Sequence, residues 1–476
     1  MSPSDVEVAV RVDPGAPAAE RWAAAALASM CARVVGNVVT PSVPLPRPNP
    51  WGARTLAAVT GVSRFGRRGR SRRTRRINVG MVPHVPEADL YLGGDDWTAV
   101  VSRRGPVPVG RCRLGGLGLQ AATALAFGEL LKDLGVGVHT VPVDGELTWS
   151  LLDGRVATAT AATTTTTTFE IGGAGADRPT PPTVALLGAG SVGSSAAALL
   201  SLTGITGTID VVDPDRFVPA RNAYRCPGVP VAERGAKADW AARVLAAAGW
   251  DAAAHRSTIA DWVDARGTPG FPGIALVSVD NVDGRRESGE LMAATTVSAG
   301  VAGLALHVQR HQAVDDFACP YCDLVDVGRW RSQGRTYARF GLTAPRLQAL
   351  LDGETLTVDD VATAIWTGAV GPDAMGHLVG GRLVDMMRVP SSGRPVADGP
   401  EDEAVSAPHV SWLAGTLLAA EVVKAAVGLP GLDRRVELDL TGVPLGGWRR
   451  PARNPSGRCP CTNPARRDLA RALYGT

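Results

Sequence analysis

The sequence predicts an α/β fold organised on a mostly parallel sheet over residues 183–476, and three observations predict it. The apolar run Thr183-Val-Ala-Leu-Leu187 is followed at once by Gly188-Ala-Gly190-Ser-Val-Gly193 and then by a small, apolar, helix-like stretch, Ser194 to Gly204. Thr208 to Val212 reads as a second buried strand and ends on Asp213, twenty residues past Gly193. Ile274 to Val279 reads as a third and leads into Asp280. Strand, G-x-G-x-x-G, helix, strand, acid is a Rossmann-like order, and that context is what gives the glycine motif meaning. The glycines let the backbone approach a phosphate. The helix N-terminus offers unpaired N–H groups and a partial positive charge. The acid accepts hydrogen bonds from ribose hydroxyls.

Bulk properties narrow the class. A chain of 476 residues, 45% hydrophobic and 20% charged, suits a soluble globular protein of two or three domains. A net charge of +3 makes no case for nucleic acid as a partner. No apolar run is long enough to span a membrane, and the N-terminus lacks the basic and apolar regions of a signal peptide, so the expectation is a cytoplasmic protein with no membrane partner. Four of the seven cysteines fall in two tight pairs, which suits a reduced compartment and a metal site better than a disulfide framework.

Taken in order, residues 1–155 read as an N-terminal domain. Ala18 to Val35 is helical by composition, and residues 36–60 are proline-rich and irregular. Arg64 to Arg76 is the one strong charge run: a solvated loop, a clamp on a polyanion such as an acidic partner or a nucleotide phosphate, or, less well supported without interleaved aromatics, a nucleic-acid contact. Ile77 to Gly80, Ala88 to Leu92 and Thr98 to Ser102 are strand-like. Gly118 to Leu134 reads as a helix stopped by Gly135, and Leu147 to Leu152 as a strand. That helix has an echo. Ala126-Phe-Gly-Glu129-Leu-Leu-Lys132 matches Leu418-Ala-Ala-Glu421-Val-Val-Lys424, with Gly135 and Gly428 following. Although E-x-x-K is common on helices, the echo suggests that residues 1–155 are a degenerate copy of the 183–440 fold. The copy lacks the glycine fingerprint and would serve as a built-in dimer partner. Residues 156–182, with six consecutive threonines and a Gly/Pro-rich tail, read as the linker, the threonines alternatively as an edge strand.

Charge counting bears on the ligand. A dinucleotide pyrophosphate carries about two negative charges, which a helix N-terminus can hold; a nucleoside triphosphate carries about four and needs fixed cations and Mg²⁺. Asn222, Arg225 and Lys237 follow the second strand, and Asp280 tips the third. Open parallel sheets gather such strand ends at one crevice. The inventory fits ATP with Mg²⁺ better than NAD. The bland alternative leaves Arg225 and Lys237 on solvated faces and makes Asp280 a helix N-cap.

These residues resemble the ThiF/MoeB/HesA superfamily, ATP-dependent adenylyltransferases related to ubiquitin-activating enzymes. The resemblance runs in order through Gly188-x-Gly190-x-x-Gly193, Asp213-x-Asp215, Asn222-x-x-Arg225, Lys237, Asp280-Asn281, Cys319-x-x-Cys322, the helix Leu418 to Gly428, and Cys459-Pro-Cys461. It implies that the glycine loop binds ATP and that Asp213 holds the ribose. Asn222, Arg225 and Lys237 would contact the phosphates, and Asp280 would support Mg²⁺. The implied chemistry is attack of a carboxylate on the α-phosphate, giving an acyl-adenylate and pyrophosphate, with catalytic work falling to Arg225, Lys237 and Asp280. The carboxylate is commonly the C-terminus of a peptide or of a ubiquitin-like or sulfur-carrier protein. The Asp213-to-Asn222 spacing is one residue longer than usual, which leaves Asp215 open as the ribose acid, and Cys226 stands where glutamine is common. No cysteine lies between Cys322 and Cys459, where a thioester-forming residue would fall in the crossover loop expected at about 334–375. Members often complete the ATP site with an arginine from a partner subunit. Here the run 64–76 is the expected supply, in a chain that is either a pseudo-dimeric monomer or a homodimer.

Cys319, Cys322, Cys459 and Cys461 offer four thiolates, enough for a closed tetrahedral, structural Zn²⁺ site. Cys319-Pro-Tyr-Cys322 alone also matches a redox dithiol, but that reading wants the pair at a helix start after the first strand of a thioredoxin-like fold. His307, His311, His377 and His409 read as structural or surface residues. Two further function classes stay open: a catalytically inactive scaffold with a remnant nucleotide fold, and an NAD-dependent oxidoreductase, which would leave Lys237, Arg225 and the cysteine pairs without a role.

Overall fold

The computed structural model of the chain describes residues 6–35, 37–60, 73–83, 87–135, 142–159, 179–218, 222, 225–324, 340–343, 346, 349–350, 354–367, 370–371, 375–383, 386, 407–433, 435–441, 447–456 and 459–475. Most of the arginine run, 61–72, and of the threonine-rich linker, 160–178, lies outside them. The chain divides into two compact units, one made of residues 1–280, 284–322 and 406–476, the other of 281–283 and 323–405.

The larger unit holds two sheets. The first comes from β1 (Val6–Val12), α1 (Ala18–Val34), β2 (Asn37–Val39), α2 (Leu56–Thr60), β3 (Arg73–Val79), β4 (Leu90–Gly94), β5 (Thr98–Ser102), α3 (Leu117–Asp133), β6 (Glu146–Ser150) and β7 (Val156–Ala159). The second begins with β8 (Thr183–Leu187), α4 (Ser191–Leu200), β9 (Thr208–Val212), α5 (Lys237–Ala247), β10 (Asp251–His255), α6 (Ile259–Arg266), β11 (Phe271–Val277), α7 (Val282–Glu290), β12 (Ala293–Ala302) and β13 (Ala305–Gln312). After the second unit, with α8 (Val358–Trp366) and the single turn α9 (Met375–Leu378), the chain returns through α10 (Pro408–Ala426), β14 (Arg435–Asp439), β15 (Gly447–Arg449) and α11 (Pro464–Tyr474).

Both sheets follow one plan. The first has the order β2-β1-β3-β4-β5-β6-β7, parallel through β4 and antiparallel after it. The second has the order β10-β9-β8-β11-β12-β13-β14-β15, parallel through β12 and antiparallel after it. In each, the first strand has parallel neighbours on both sides, a helix follows it (α1, α4), and a long helix (α3, α10) separates the first antiparallel strand from the next. The second sheet is therefore the Rossmann-like arrangement expected, with an antiparallel extension. A polar network recurs as well. Lys132 donates to Glu129 at 2.6 Å, and the other Glu129 oxygen accepts from the Val143 N–H at 2.7 Å and from Arg103 at 3.2 Å. Lys424 donates to Glu421 at 2.7 Å, and the other Glu421 oxygen accepts from the Leu432 N–H at 2.9 Å with Arg310 at 3.6 Å.

The long helices α3 and α10 pack on each other, and α10 also packs on α4. One hydrophobic core runs through both halves, including Leu27, Phe127, Trp149, Leu186, Leu199 and Trp412. Helices buried around most of their circumference have no polar stripe to keep. This is why α1, α3 and α10 are rich in alanine and other small or apolar residues rather than showing an amphipathic pattern. No helix among the described residues is long and apolar enough to cross a membrane.

The second unit contains the described part of the expected crossover loop, and that part is folded. It has its own small core, with Phe340, Leu356, Val361, Leu378 and Met386. Thr357 and Asp360 form a capping box at the start of α8, and Arg346 grips Asp360 through Nε at 3.0 Å and Nη2 at 2.7 Å. Residues 325–339 lie outside the described set.

Candidate functional site

Parallel pairing brings the sequence motifs together. Leu187 is in register with Val212 on one side and Val277 on the other. The residues that follow, Gly188, Asp213 and Ser278, therefore sit side by side at the carboxyl edge of three adjacent strands. Gly188 has a φ of +90°, which favours glycine. Its N–H donates to the Val212 carbonyl at 2.9 Å, and its own carbonyl accepts from Ser278 Oγ at 2.7 Å. Gly193, in the first turn of α4, packs against that same carbonyl: a Cβ there would overlap it and lie 2.7 Å from Ser278 Oγ. Gly190, the residue that starts α4, is different. Its φ of −69° suits any residue, and a Cβ would meet nothing within 4 Å. The space in front of the helix N-terminus is open.

Asp213 is 6% exposed. Its carboxylate closes the loop, accepting from the Ala189 N–H at 2.7 Å and from the Asp215 N–H at 2.8 Å. Burial pushes its pKa above the ordinary carboxylate range, against the pull of Lys237. Lys237 opens α5 and is not on a solvated face: its side chain is 12% exposed, 2.7 Å from Asp215 and 3.9 Å from Asp213. The exposed Asp215 carboxylate is thus Lys237's closer partner. Asn222 is buried, with its side-chain oxygen accepting from the Val218 N–H at 2.7 Å. Arg225 follows it, its Nε buried without a hydrogen-bond partner among the described residues. Asp280 is exposed beyond β11. Arg285 is committed to β12, donating to Ser298 Oγ at 2.9 Å and to the Ala299 carbonyl at 2.8 Å.

Sequence reading did not single out Ser278 as the hydroxyl that braces the glycine turn. A serine at the end of a buried strand carries no local signal for that role. Of the arginine run, the described Arg75 is paired with Asp89 at 2.6 Å.

The two cysteine pairs meet. Cys319, Cys322, Cys459 and Cys461 are all buried, and their Sγ atoms lie within 4.8 Å of one another, the pairs other than Cys319–Cys461 at 3.3 to 3.9 Å. A tetrahedron with metal–sulfur bonds of about 2.3 Å has edges of about 3.8 Å, and a disulfide would need about 2.05 Å. The Asn454 N–H points at Cys322 Sγ from 3.4 Å. The set is one that could hold a metal ion, and the C-x-C spacing is no obstacle to it. Cys31 and Cys226 are fully buried and Cys112 mostly so, and burial pushes all three thiols up, away from the reactive thiolate. His311 is buried on β13, and burial lowers its pKa to about 4; His409 is buried against Phe127, and burial lowers its pKa to about 3.

No protein-family model matches the chain, and no curated protein matches it. Among solved structures, it is similar to Escherichia coli MccB with succinimide, at 15% identity and a TM-score of 0.35 over 58% of this chain and 66% of that one. It is similar to the same enzyme with ATP at 14% and 0.34, over 58% and 64%. It is also similar to PaaA at 15% and 0.32, over 56% and 72%. The match spans just under two thirds of the MccB chains.

Proposed function

We propose that residues 183–476 bind ATP·Mg²⁺ and adenylate a carboxylate, that of a peptide or ubiquitin-like protein C-terminus. The observation that carries this reading is the convergence at one strand edge: a glycine turn with open space before a helix N-terminus, a buried acid, and the Lys237 ammonium held beside it rather than in solvent. The open end of α4 takes the phosphates. Asp213 or Asp215 takes the ribose. Asn222, Arg225 and Lys237 face the polyphosphate, which competes with Asp215 for the Lys237 ammonium. Asp280 would hold Mg²⁺, whose charge offsets that of the phosphates. A substrate carboxylate oxygen forms the new bond to the α-phosphorus; the bond from that phosphorus to the bridging oxygen breaks, and pyrophosphate leaves with the electron pair. Fixed cations are worth most at that moment, when charge builds on the leaving group. Of the three remaining cysteines, Cys31 and Cys226 are buried and Cys112 is half-buried with its thiol pushed up, so the reaction ends at acyl-AMP without an enzyme thioester. The four-cysteine cluster holds a structural Zn²⁺, tying the segment after β13 to the C-terminal tail. The N-terminal half serves as a built-in partner, making the chain a pseudo-dimeric monomer.

Calorimetric titration with ATP·Mg²⁺ and, separately, NAD tests this. ATP should bind, and Lys237→Ala should weaken it at least about tenfold, about 1.4 kcal/mol. Pyrophosphate exchange with candidate peptides then finds the carboxylate. Binding of NAD in place of ATP would overturn the proposal, and binding of neither would favour a scaffold.

A further inference from the structure

The N-terminal half grips the candidate site at one loop. Asn222 and Arg225 lead into Cys226-Pro-Gly-Val229, and the loop continues their turn: the Cys226 N–H donates to the Asn222 carbonyl at 3.2 Å, and the Val229 N–H to the Cys226 carbonyl at 3.0 Å. The Pro227 carbonyl accepts two hydrogen bonds, from Ser29 Oγ of α1 at 2.7 Å and from Trp51 Nε1 at 2.9 Å. Arg33, one turn along α1 from Ser29, donates through Nη2 to the Val229 carbonyl and through Nε to Ser29 Oγ at 3.1 Å. Ser29, Arg33 and Trp51 are 2%, 8% and 8% exposed, so these bonds are shielded from water. On its other side the loop is pinned by packing. A Cβ on Gly228 would lie 2.7 Å from the Ala198 Cβ of α4 and 3.2 Å from the Trp412 ring of α10, and Trp412 in turn stands 6.3 Å from the Trp51 ring.

We infer that Ser29, Arg33 and Trp51 are positioning residues for the nucleotide site: by holding the Pro227 and Val229 carbonyls, the N-terminal half fixes the turn that presents Asn222 and Arg225. This rests on the nucleotide reading of that site. A loop held by donors from chemically different side chains on two separate segments has little freedom left. Both lone pairs of the Pro227 carbonyl are engaged, and losing one donor leaves a buried carbonyl under-satisfied. Arg33 stays cationic at neutral pH, since burial lowers its pKa only to about 10.

The test compares Trp51→Phe with Trp149→Phe. Trp149 also buries an indole N–H on a backbone carbonyl, that of Gly154 at 3.1 Å, but within the first sheet. Each change removes one buried hydrogen bond and keeps an aromatic ring. Trp51→Phe should speed amide exchange across residues 225–233 and weaken ATP·Mg²⁺ binding, each about fivefold. Trp149→Phe should do neither. Ser29→Ala provides a second, smaller variant and should act as Trp51→Phe does. Unchanged exchange in both loop variants, or an equal rise in Trp149→Phe, would overturn the inference. So would faster exchange with unaltered ATP affinity, since the loop would then be structural only. Exchange is read without nucleotide, so a wild-type protein that fails to bind ATP counts against the proposed function and leaves the grip on the loop to be judged by exchange.

Discussion

Two glycines three residues apart should respond oppositely to the same added methyl group. Gly193→Ala forces a Cβ into the Gly188 carbonyl and to 2.7 Å from Ser278 Oγ. Relief requires the β8–α4 turn to move by roughly 1 Å, and overpacking of this kind costs about 1–3 kcal/mol. The better helix propensity of alanine returns up to about 1 kcal/mol, so a net loss of about 1–2 kcal/mol is expected. With a urea slope of roughly 1–3 kcal/mol per molar, the unfolding midpoint falls by about 0.3–2 M. Gly190→Ala meets nothing within 4 Å at a φ of −69°. Alanine restricts the unfolded chain, worth about 0.4–1 kcal/mol, and is a poorer N-cap by a similar amount, so the midpoint should stay put. On the proposed reading the methyl group would instead occupy the space that phosphate oxygens need to reach the helix N–H groups, and ATP affinity should drop at least about tenfold. Urea titration and calorimetry on the two variants give both readings. Wild-type ATP affinity in Gly190→Ala, or a stability loss equal to that of Gly193→Ala, would refute the assignment of the open space to a phosphate.

Three further outcomes are expected. Purified protein should carry about one equivalent of zinc by elemental analysis, and Cys459→Ser should lose it and melt at a lower temperature; less than about half an equivalent in wild type would remove the metal from the account. Glu20, raised from 4.5 to about 7 by burial first and Asp13 second, keeps in the folded state a proton that the unfolded chain releases. Its contribution to stability is therefore full below pH 4.5 and declines as pH rises towards 7, so the melting temperature of Glu20→Gln relative to wild type should rise across that window. Lys424→Met strands the Glu421 carboxylate, both side chains being 0% exposed. The cost should be about 3–5 kcal/mol, towards the low end because Arg310 is near, and Glu421→Gln added to it should restore most of that loss in urea unfolding.

The parallel core was legible because strands buried on both faces read as unbroken apolar runs. Thr183–Leu187 and Thr208–Val212 match the sequence reading to the residue. Helix α3 was legible because Gly135 stops it. Edge strand β10, Asp-Ala-Ala-Ala-His, was not: its side chains are largely exposed, alanine has little strand preference, and only pairing with β9 defines it. Helix α10 starts ten residues before Leu418, with Pro408 in its first turn, and a helix buried all round gives no periodicity to mark where it begins. At the site, Gly188, Gly190, Gly193 and Asp213 follow one another in the chain and so announce themselves. The contacts of Ser29, Arg33 and Trp51 with the 226–229 loop join positions far apart in sequence, and no local pattern encodes them. The meeting of Cys459 and Cys461 with Cys319 and Cys322 depends on where the segment after β13 runs, which no local pattern encodes.

The two halves share some features and differ in others, and the proposed ATP site accounts for the difference. The Glu–Lys pair closed by a loop N–H occurs in both, at Glu129 and Glu421, so it answers a need of the shared plan, a long buried helix returning to an antiparallel strand. The turn after the first strand does not recur. Where the second sheet has Gly188-Ala-Gly190, the first has Asp13-Pro-Gly-Ala-Pro17, with the Asp13 carboxylate accepting from the Gly15 N–H at 2.6 Å. Glu20 lies in the first turn of α1, 9% exposed, its carboxyl against Gly80 just past β3, the counterpart of Ser278 past β11. A phosphate entering that crevice would meet two carboxyl groups. An ionised carboxylate about 4 Å away at an effective dielectric constant of 20 costs about 4 kcal/mol, against the roughly 0.3–2 kcal/mol that a helix N-terminus returns; Asp13 acts in this way, and Glu20, whose pKa burial raises to about 7, joins it as pH rises past that value. On the proposed reading the first half would keep the scaffold without the phosphate chemistry, and its α1 packs the Ser29–Arg33 face against the 226–229 loop of the other half.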